Sequence, residues 1–314
     1  MRATLHNIML MSCVILTLAL TSCVHKELCY DHSHVLEVDV VFDWHNDPEA
    51  SPKSMSLYLF PDDGGRPIRY DLIGHEGGRI RLDSGTYDII CLNSDTENID
   101  VLDDLTYESL RVTTKDADAL RGFYAMAATI KAPKDDGERL ADSPENVWSA
   151  YAEDVLLNES YSKVTLYPEP DVINCTVEIK NAENLKWIED IYGTLSGMAD
   201  GFFPQRDVLC EELATIAFDC SYDSENKTVT GALSSFGHCP SSPNTHILAI
   251  YVTLADGSLW EYTFDVTEQV HESDDPYNIK IVLDNLPIPK PVVNGGGFKP
   301  SVDEWGNIDI NINM

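Results

Sequence analysis

Basic residues are scarce in this chain of 314 residues. Lysine and arginine number 21 against 53 aspartates and glutamates, for a formal charge of −32. So acidic a surface repels phosphate backbones, which excludes nucleic acid as a partner. Long apolar runs are also missing beyond the first 22 residues. No later segment can therefore cross a bilayer as a helix, which needs roughly 20 apolar residues. The motifs of catalysis are absent as well: Gly-x-Ser-x-Gly, His-Glu-x-x-His and the Gly-Lys-Ser/Thr phosphate loop. Gly295-Gly296-Gly297 has no strand-to-helix context and reads as a bend. Neither Cys-x-x-Cys nor a paired Cys/His spacing occurs, so zinc is not expected. No catalytic residue, cofactor or metal is assigned, and the sequence points away from an enzyme.

What is present begins with a leader. Arg2 supplies positive charge, Ile8 to Leu20 form a short apolar run, and Leu20-Thr21-Ser22 precede Cys23. Residues 1–22 read as a secretory signal peptide, and a small residue directly before cysteine is the cut site of a bacterial lipoprotein. The Cys23 thiol would carry diacylglycerol, and residues 23–34 would form a lipidated tether. Several acyl chains hold firmly, at about 0.8 kcal/mol per buried methylene. Behind the anchor, an apolar fraction of 43% supports folded cores despite the charge. Export permits disulfides. Among Cys29, Cys91, Cys175, Cys210, Cys220 and Cys239, the closely spaced Cys210, Cys220 and Cys239 are the best candidates for pairing. Cys91 and Cys175 read as buried thiols within strands.

Alternation dominates the rest. Val35–Trp44 and Ser54–Phe60 read as strands, and Pro61–Gly65 is a turn leading into Arg66–Leu72, a hairpin. Arg79–Leu82 and Thr86–Leu92, joined by Asp83-Ser84-Gly85, suggest a second hairpin. Ser143-Pro144-Glu145 before Val147-Trp148 resembles a capped first helical turn, and Val101–Leu110 could hold another short helix. Ser162–Tyr167 closes the first set. A second series comprises Val172–Ile179, Ile191–Ser196, Ala214–Tyr222, Thr228–Ser234, His246–Leu254, Leu259–Val266 and Asn278–Leu283. Asp256-Gly257 between two of these runs is the strongest local hairpin signal, because it tolerates positive φ at both central positions. Many short strands with few helices predict an all-β fold of two tandem β-sandwich domains, 35–168 and 169–314.

Several clusters invite a binding reading. His25, His32 and His34 could hold a metal, but linker residues lack a scaffold to fix ligands. Asp103-Asp104, Asp135-Asp136 and Asp274-Asp275 do not match the spaced oxygens of a calcium loop and read as solvated surface. Trp44, Trp148, Trp187, Trp260 and Trp305 read as core or edge aromatics, with a sugar-stacking platform as the alternative. Pro287–Pro300 reads as a connector, and Val302–Met314 carries the alternating Ile308, Ile310 and Ile312. That tail either completes its own sheet or is added to the open edge of a partner.

One resemblance covers nearly the entire chain beyond the leader. It rests on His25–His32, Val41–Trp44, Met55–Pro61 and Cys91–Asn98, then on Leu195–Ala199, Phe236–Pro240, Val293–Phe298 and Val302–Trp305. In these segments the chain resembles the fimbrillin-like anchor lipoproteins of the Bacteroidetes, in particular a domain-of-unknown-function group among them. The resemblance implies transthyretin-like, Greek-key sandwiches and an outer-membrane lipoprotein at the cell surface or on the fimbrium. It also implies a role in fimbrial anchoring, assembly and adhesion, with a fimbrial subunit or other surface protein as partner. Only Cys23 is transferred as a site residue. The alternative function is a surface glycan- or ligand-binding lipoprotein.

Overall fold

The computed structural model describes residues 35–117, 138–238, 245–291 and 306–309. The leader, Cys23, the tether histidines, Cys29, Asp135-Asp136, Cys239, Gly295–Gly297 and Trp305 lie outside the described residues. Within them the protein is all-β, with one five-residue α-helix and two three-residue 3-10 helices.

The first core lies between two sheets. β1 (Val35–Phe42) alternates cleanly, with Leu36, Val38, Val40 and Phe42 inward and Glu37 and Asp39 outward. It pairs antiparallel with β4 (Gly77–Asp83) and parallel with β10 (Lys163–Leu166). The opposing sheet runs in the order β11 (Glu169–Pro170), β9 (Trp148–Leu157), β5 (Gly85–Asn93), β2 (Ser54–Pro61), β3 (Ile68–Ile73). Met55, Leu57, Leu59, Ile89 and Cys91 meet the β1 side chains across the gap. Each such side chain is worth about 1.5–3 kcal/mol when fully buried.

The β2–β3 hairpin is present, with Leu57 opposite Tyr70. The expected hairpin of β4 and β5 is not. Those strands belong to different sheets, and Ser84 carries the chain from one to the other. β2 and β9 already occupy both edges of β5, while β1 supplies the partner for β4. A Ser-Gly turn reads alike in sequence whether it closes a hairpin or bridges two layers.

A second core is enclosed by one sheet. Its order is β20 (Asn278–Leu286), β12 (Ile173–Ala182), β17 (Thr228–Ser235), β16 (Leu213–Asp223), β13 (Ile188–Ala199), β18 (Ile247–Leu254), β19 (Leu259–Asp265), β21 (Gly306–Asp309). β16 is the fold line. It pairs with β13 from Leu213 to Asp219 and with β17 only from Cys220 to Asp223. Along Ala214–Ala217, where β17 has parted from it, β8 (Arg139–Asp142) joins in parallel. The Phe218 ring sits at this bend against Gly193 and Gly231, where added Cβ atoms would come within 2.3 and 2.5 Å of it. The β18–β19 hairpin forms as the Asp-Gly signal predicts. Only Gly257 takes positive φ, at 78°, and its N–H bonds to the Leu254 carbonyl at 2.8 Å. That is a type I turn followed by a left-handed glycine.

The two regions interlock. β6 (Ile99–Leu102) and β7 (Arg111–Thr114) continue into β14 (Gly201–Phe203) and β15 (Val208–Leu209) as a four-stranded sheet. Leu92, Ile99, Val112, Val147, Val172, Phe202 and Phe236 form an apolar cluster at the seam. Arg139 adds hydrogen bonds to the Thr114 carbonyl at 2.6 Å and to Asp116 at 2.9 Å, and an ion pair with Asp200. Neither expected helix forms. Residues 103–109 are turns, with one helical bond from Leu110 N–H to the Thr106 carbonyl at 3.2 Å. Ser143–Val147 forms no helical turn: Val147 is fully buried in the seam, and the Trp148 N–H donates to Asn93 Oδ1 at 2.9 Å. Tertiary burial overrides a local capping signature here.

Candidate functional site

The tail strand and a histidine cluster are the features with functional geometry, and both belong to the second sheet. β21 pairs in parallel with β19 over four positions, from Trp260 opposite Gly306 to Thr263 opposite Asp309. The first part of the predicted tail strand thus lies on its own sheet, and residues 310–314 lie outside the described residues. The other end of the sheet is β20, whose Val282 N–H donates to Gln269 Oε1 at 2.8 Å. Gln269 belongs to the helix α1 (Thr267–His271), so a side chain occupies a backbone donor on that outer edge. Edges blunted in this way resist unwanted pairing. The β19 edge carries instead a four-residue strand at the end of a long connector.

Three histidines from separate elements converge nearby. His246 immediately precedes β18 and is fully buried, His238 follows β17 and is half-buried, and His271 ends α1 and is exposed. Their side-chain nitrogens include a set lying within 4.8 Å of one another. A bulge in β13 shapes the pocket. Gly197 there has φ of 78°, and a Cβ on it would lie 2.7 Å from the Thr245 carbonyl and 3.0 Å from His246 Nδ1. Only glycine fits so close an approach. The adjoining Ser196 carbonyl lies 3.0 Å from His246 Nδ1, and its hydroxyl accepts the Ile247 N–H at 3.0 Å. Because a carbonyl can only accept, Nδ1 must carry the proton, which leaves the Nε2 lone pair facing His271 Nε2 at 3.1 Å.

The flanking residues hold this arrangement. His246 donates its backbone N–H to Thr267 Oγ1 at 2.9 Å and accepts the Val266 N–H at 2.9 Å. Thr267 in turn donates its hydroxyl to Asp265, at 2.6 Å. That hydrogen bond, with the Thr267 N–H and the nearby His246, keeps the Asp265 carboxyl below the usual carboxylate range. Burial pushes the His238 imidazole below its ordinary value, and the neighbouring His271 lowers it further. His238 is fixed from behind by a bridge to Met198 and by the Ala199 N–H bond to the Gly237 carbonyl at 2.9 Å.

The cluster was not legible because its members stand 8 and 25 residues apart along the chain, outside the short ligand spacings that sequence motifs encode. Other candidates resolve differently. Asp103 pairs with Arg111 at 3.1 Å, and Asp275 caps the turn to Asn278. Cys91 and Cys175 are buried in strands as expected, and Cys210 and Cys220 also stand as thiols. Burial pushes Cys175 and Cys220 up to about 12 and Cys210 to about 11, so none is a thiolate nucleophile at neutral pH. Trp44 and Trp148 pack edge to face at 6.1 Å, while Trp187 and Trp260 lean on the second core.

Known proteins give this architecture its context. Over 94% of its length the chain is 22% identical to 96% of a Bacteroides ovatus protein named as a fimbrium anchoring subunit, Fim4B. Among solved structures, an adhesin from Bacteroides ovatus superposes with a TM-score of 0.61 at 18% identity, covering 86% of this chain and 99% of the other. The fimbrial anchor protein Mfa2 of Porphyromonas gingivalis superposes with a TM-score of 0.48 at 12% identity, covering 79% of this chain and 90% of that one. The family described as "Domain of unknown function (DUF5119)" matches residues 22–219, well over half of the sequence, and the chain belongs to that family.

Proposed function

We propose that this protein is a lipid-anchored subunit that holds fimbriae at the cell surface. The observation that carries the reading is the match, over nearly the full length of both chains, to a fimbrium anchoring subunit. In this reading residues 1–22 are removed, Cys23 is acylated in the outer membrane, and residues 23–34 tether the body. The body comprises two transthyretin-like units, 35–168 and 169–314, that make contacts rather than catalyse reactions. The extreme acidity supports the arrangement, since anionic lipid surfaces repel the body and leave it projecting. Replacing Cys23 with Ala should move the protein from the membrane to the soluble fraction. Full membrane retention of that variant would refute the tether.

Capture of the fimbrial subunit is assigned to the tail strand, which leaves the β19 edge and pairs with an open edge of the subunit. Strand addition there supplies main-chain hydrogen bonds, with alternate side-chain pockets for specificity. The native occupant, β21, contributes four paired positions, while the second core is built from strands between β8 and β20. Deleting Asn307–Met314 should therefore leave the fold intact and abolish co-purification with fimbrial subunits. A folded truncation that still captures its partner would remove the tail from the mechanism.

A further inference from the structure

We infer that His238, His246 and His271 form a binding site for one divalent transition-metal ion, with zinc the best fit. The site joins the end of β17, the start of β18 and the end of α1. Its donor set is all imidazole nitrogen. That chemistry suits zinc, copper or nickel and disfavours calcium and magnesium, which take oxygen ligands. The abundant carboxylates of the surface do not enter the set.

The geometry supports a shared ion. Two nitrogens at 2.0–2.1 Å from a tetrahedral zinc are separated by roughly 3.3 Å. The Nε2 atoms of His246 and His271 stand 3.1 Å apart. The third imidazole stacks on His271, with ring centroids 5.2 Å apart, and meets His246 edge-on at 4.9 Å. With all three ligand atoms within 4.8 Å, a side-chain rotation of His238 completes a three-nitrogen face.

The surroundings match what metal-bound histidines require. A ligating imidazole commonly donates its other N–H to a carbonyl or carboxylate, which fixes both tautomer and orientation. The Ser196 carbonyl does this for His246. His271 is held because Val270 is buried and Gln269 bonds to β20, yet its ring remains exposed and provides an entry path. Three imidazoles leave a fourth tetrahedral position open to water. The bound ion would staple three elements beside the β13 bulge, so zinc should raise the melting temperature of the protein as well as bind it.

Isothermal titration of the full chain with zinc chloride, paired with thermal melts, tests this. The wild type should bind one zinc per chain and melt at a higher temperature with zinc present. The exposed position makes His271→Gln compatible with folding, and this variant should weaken binding by at least about tenfold and lose the melting shift. A variant carrying Ala at His25, His32 and His34 should keep the site, and equimolar calcium should not compete. Cobalt should give the visible absorption of a tetrahedral nitrogen site in the wild type and lose it in His271→Gln. Wild-type zinc affinity in His271→Gln, or zinc binding lost only in the tether variant, would overturn the inference, as would the absence of zinc binding to the wild type.

Discussion

Where the first core lies between two separate sheets, the second is wrapped by one sheet folded about β16. Two-sheet closure leans mainly on alternation, helped by Gly77, where an added Cβ would lie 2.1 Å from the Val40 carbonyl, and by a register shift in β5. β1 shows this, with every second side chain buried and Arg79 and Arg81 laddered against Glu37 and Asp39 outside. Folding a single sheet asks for more: glycines beneath Phe218, a bulge at Gly197, and a borrowed strand to satisfy the part of β16 that β17 abandons. The first region packs the outer face of its larger sheet on Tyr107, Leu110, Phe202 and Phe236. The second depends on strands contributed from residues 99–142 and 306–309. The three clustered histidines lie in the second region, beside the bulge at Gly197.

The largest expected effects come from emptying either core. Leu57→Ala and Ile250→Ala each remove a fully buried side chain and should cost about 3 kcal/mol, within the usual range of 2–5 kcal/mol. The comparison turns on what melts. Because β7 pairs with β14 and β8 with β16, a lesion in one core should lower the transition of both regions together. Calorimetry checks this. If Leu57→Ala produces a second, early transition while the remainder melts at the wild-type temperature, the interlock is too weak to couple them.

Much of this fold was readable, and the pattern of what was not is physical. Strands with one buried face announce themselves, as β1, β19 and β20 do, because alternation encodes a core side and a water side. Connections do not. Asp83-Ser84-Gly85 gave no sign that it bridges two layers, since turn chemistry reports local φ and ψ and not the destination of the chain. Ser143-Pro144-Glu145 carries a genuine capping pattern, yet Val147 is fully buried in the seam and no helical turn forms there. The tail was legible as a strand, and periodicity alone left its partner open. The histidine trio was invisible for the same reason as the interlock: both are long-range juxtapositions with no short-range signature. His238 lies in Phe236–Pro240, a segment carrying the family resemblance, which marked the position without revealing its neighbours.

A mid-sized effect isolates the fold line. Gly193→Ala places a methyl where the Phe218 ring already lies, and should cost about 2 kcal/mol through overpacking. Phe218→Leu alone should destabilise by a similar amount. The double variant should recover part of the loss, because the smaller side chain leaves room for the methyl, giving a coupling energy of about 1 kcal/mol. Gly64 in the first region offers a control, as a Cβ there meets open space and only its φ of 76° opposes substitution. Gly64→Ala should cost about 1 kcal/mol and show no coupling to Phe218. Strict additivity of Gly193→Ala and Phe218→Leu in denaturant melts would mean that the ring does not set the bend.

The smallest effect tests the seam itself, where Asp171 sits in the link between the two regions. Its Oδ1 accepts the Ser149 hydroxyl at 3.0 Å, while Oδ2 is enclosed with no hydrogen-bond partner. Burial pushes this carboxyl well above the usual range, and the nearby charges of Asp207 and Glu169 push it further. A carboxyl whose folded value is raised binds its proton more tightly in the native state than in the unfolded chain. Stability is therefore lost as pH rises from the unfolded value near 3.8 toward the raised native one, and the penalty is constant above that. Asp71 works in the opposite sense. The Ser56 hydroxyl and Arg69 hold it low, so its contribution is present above the unfolded value and disappears as acid protonates it. Asp171→Asn should consequently stabilise the protein at pH 7 by about 1 kcal/mol, a gain that shrinks as the pH is lowered toward 4. Urea titrations of wild type and variant across that interval measure it. A gain that is independent of pH would show that the seam tolerates a charged Asp171, with solvent reaching the carboxylate between the two cores.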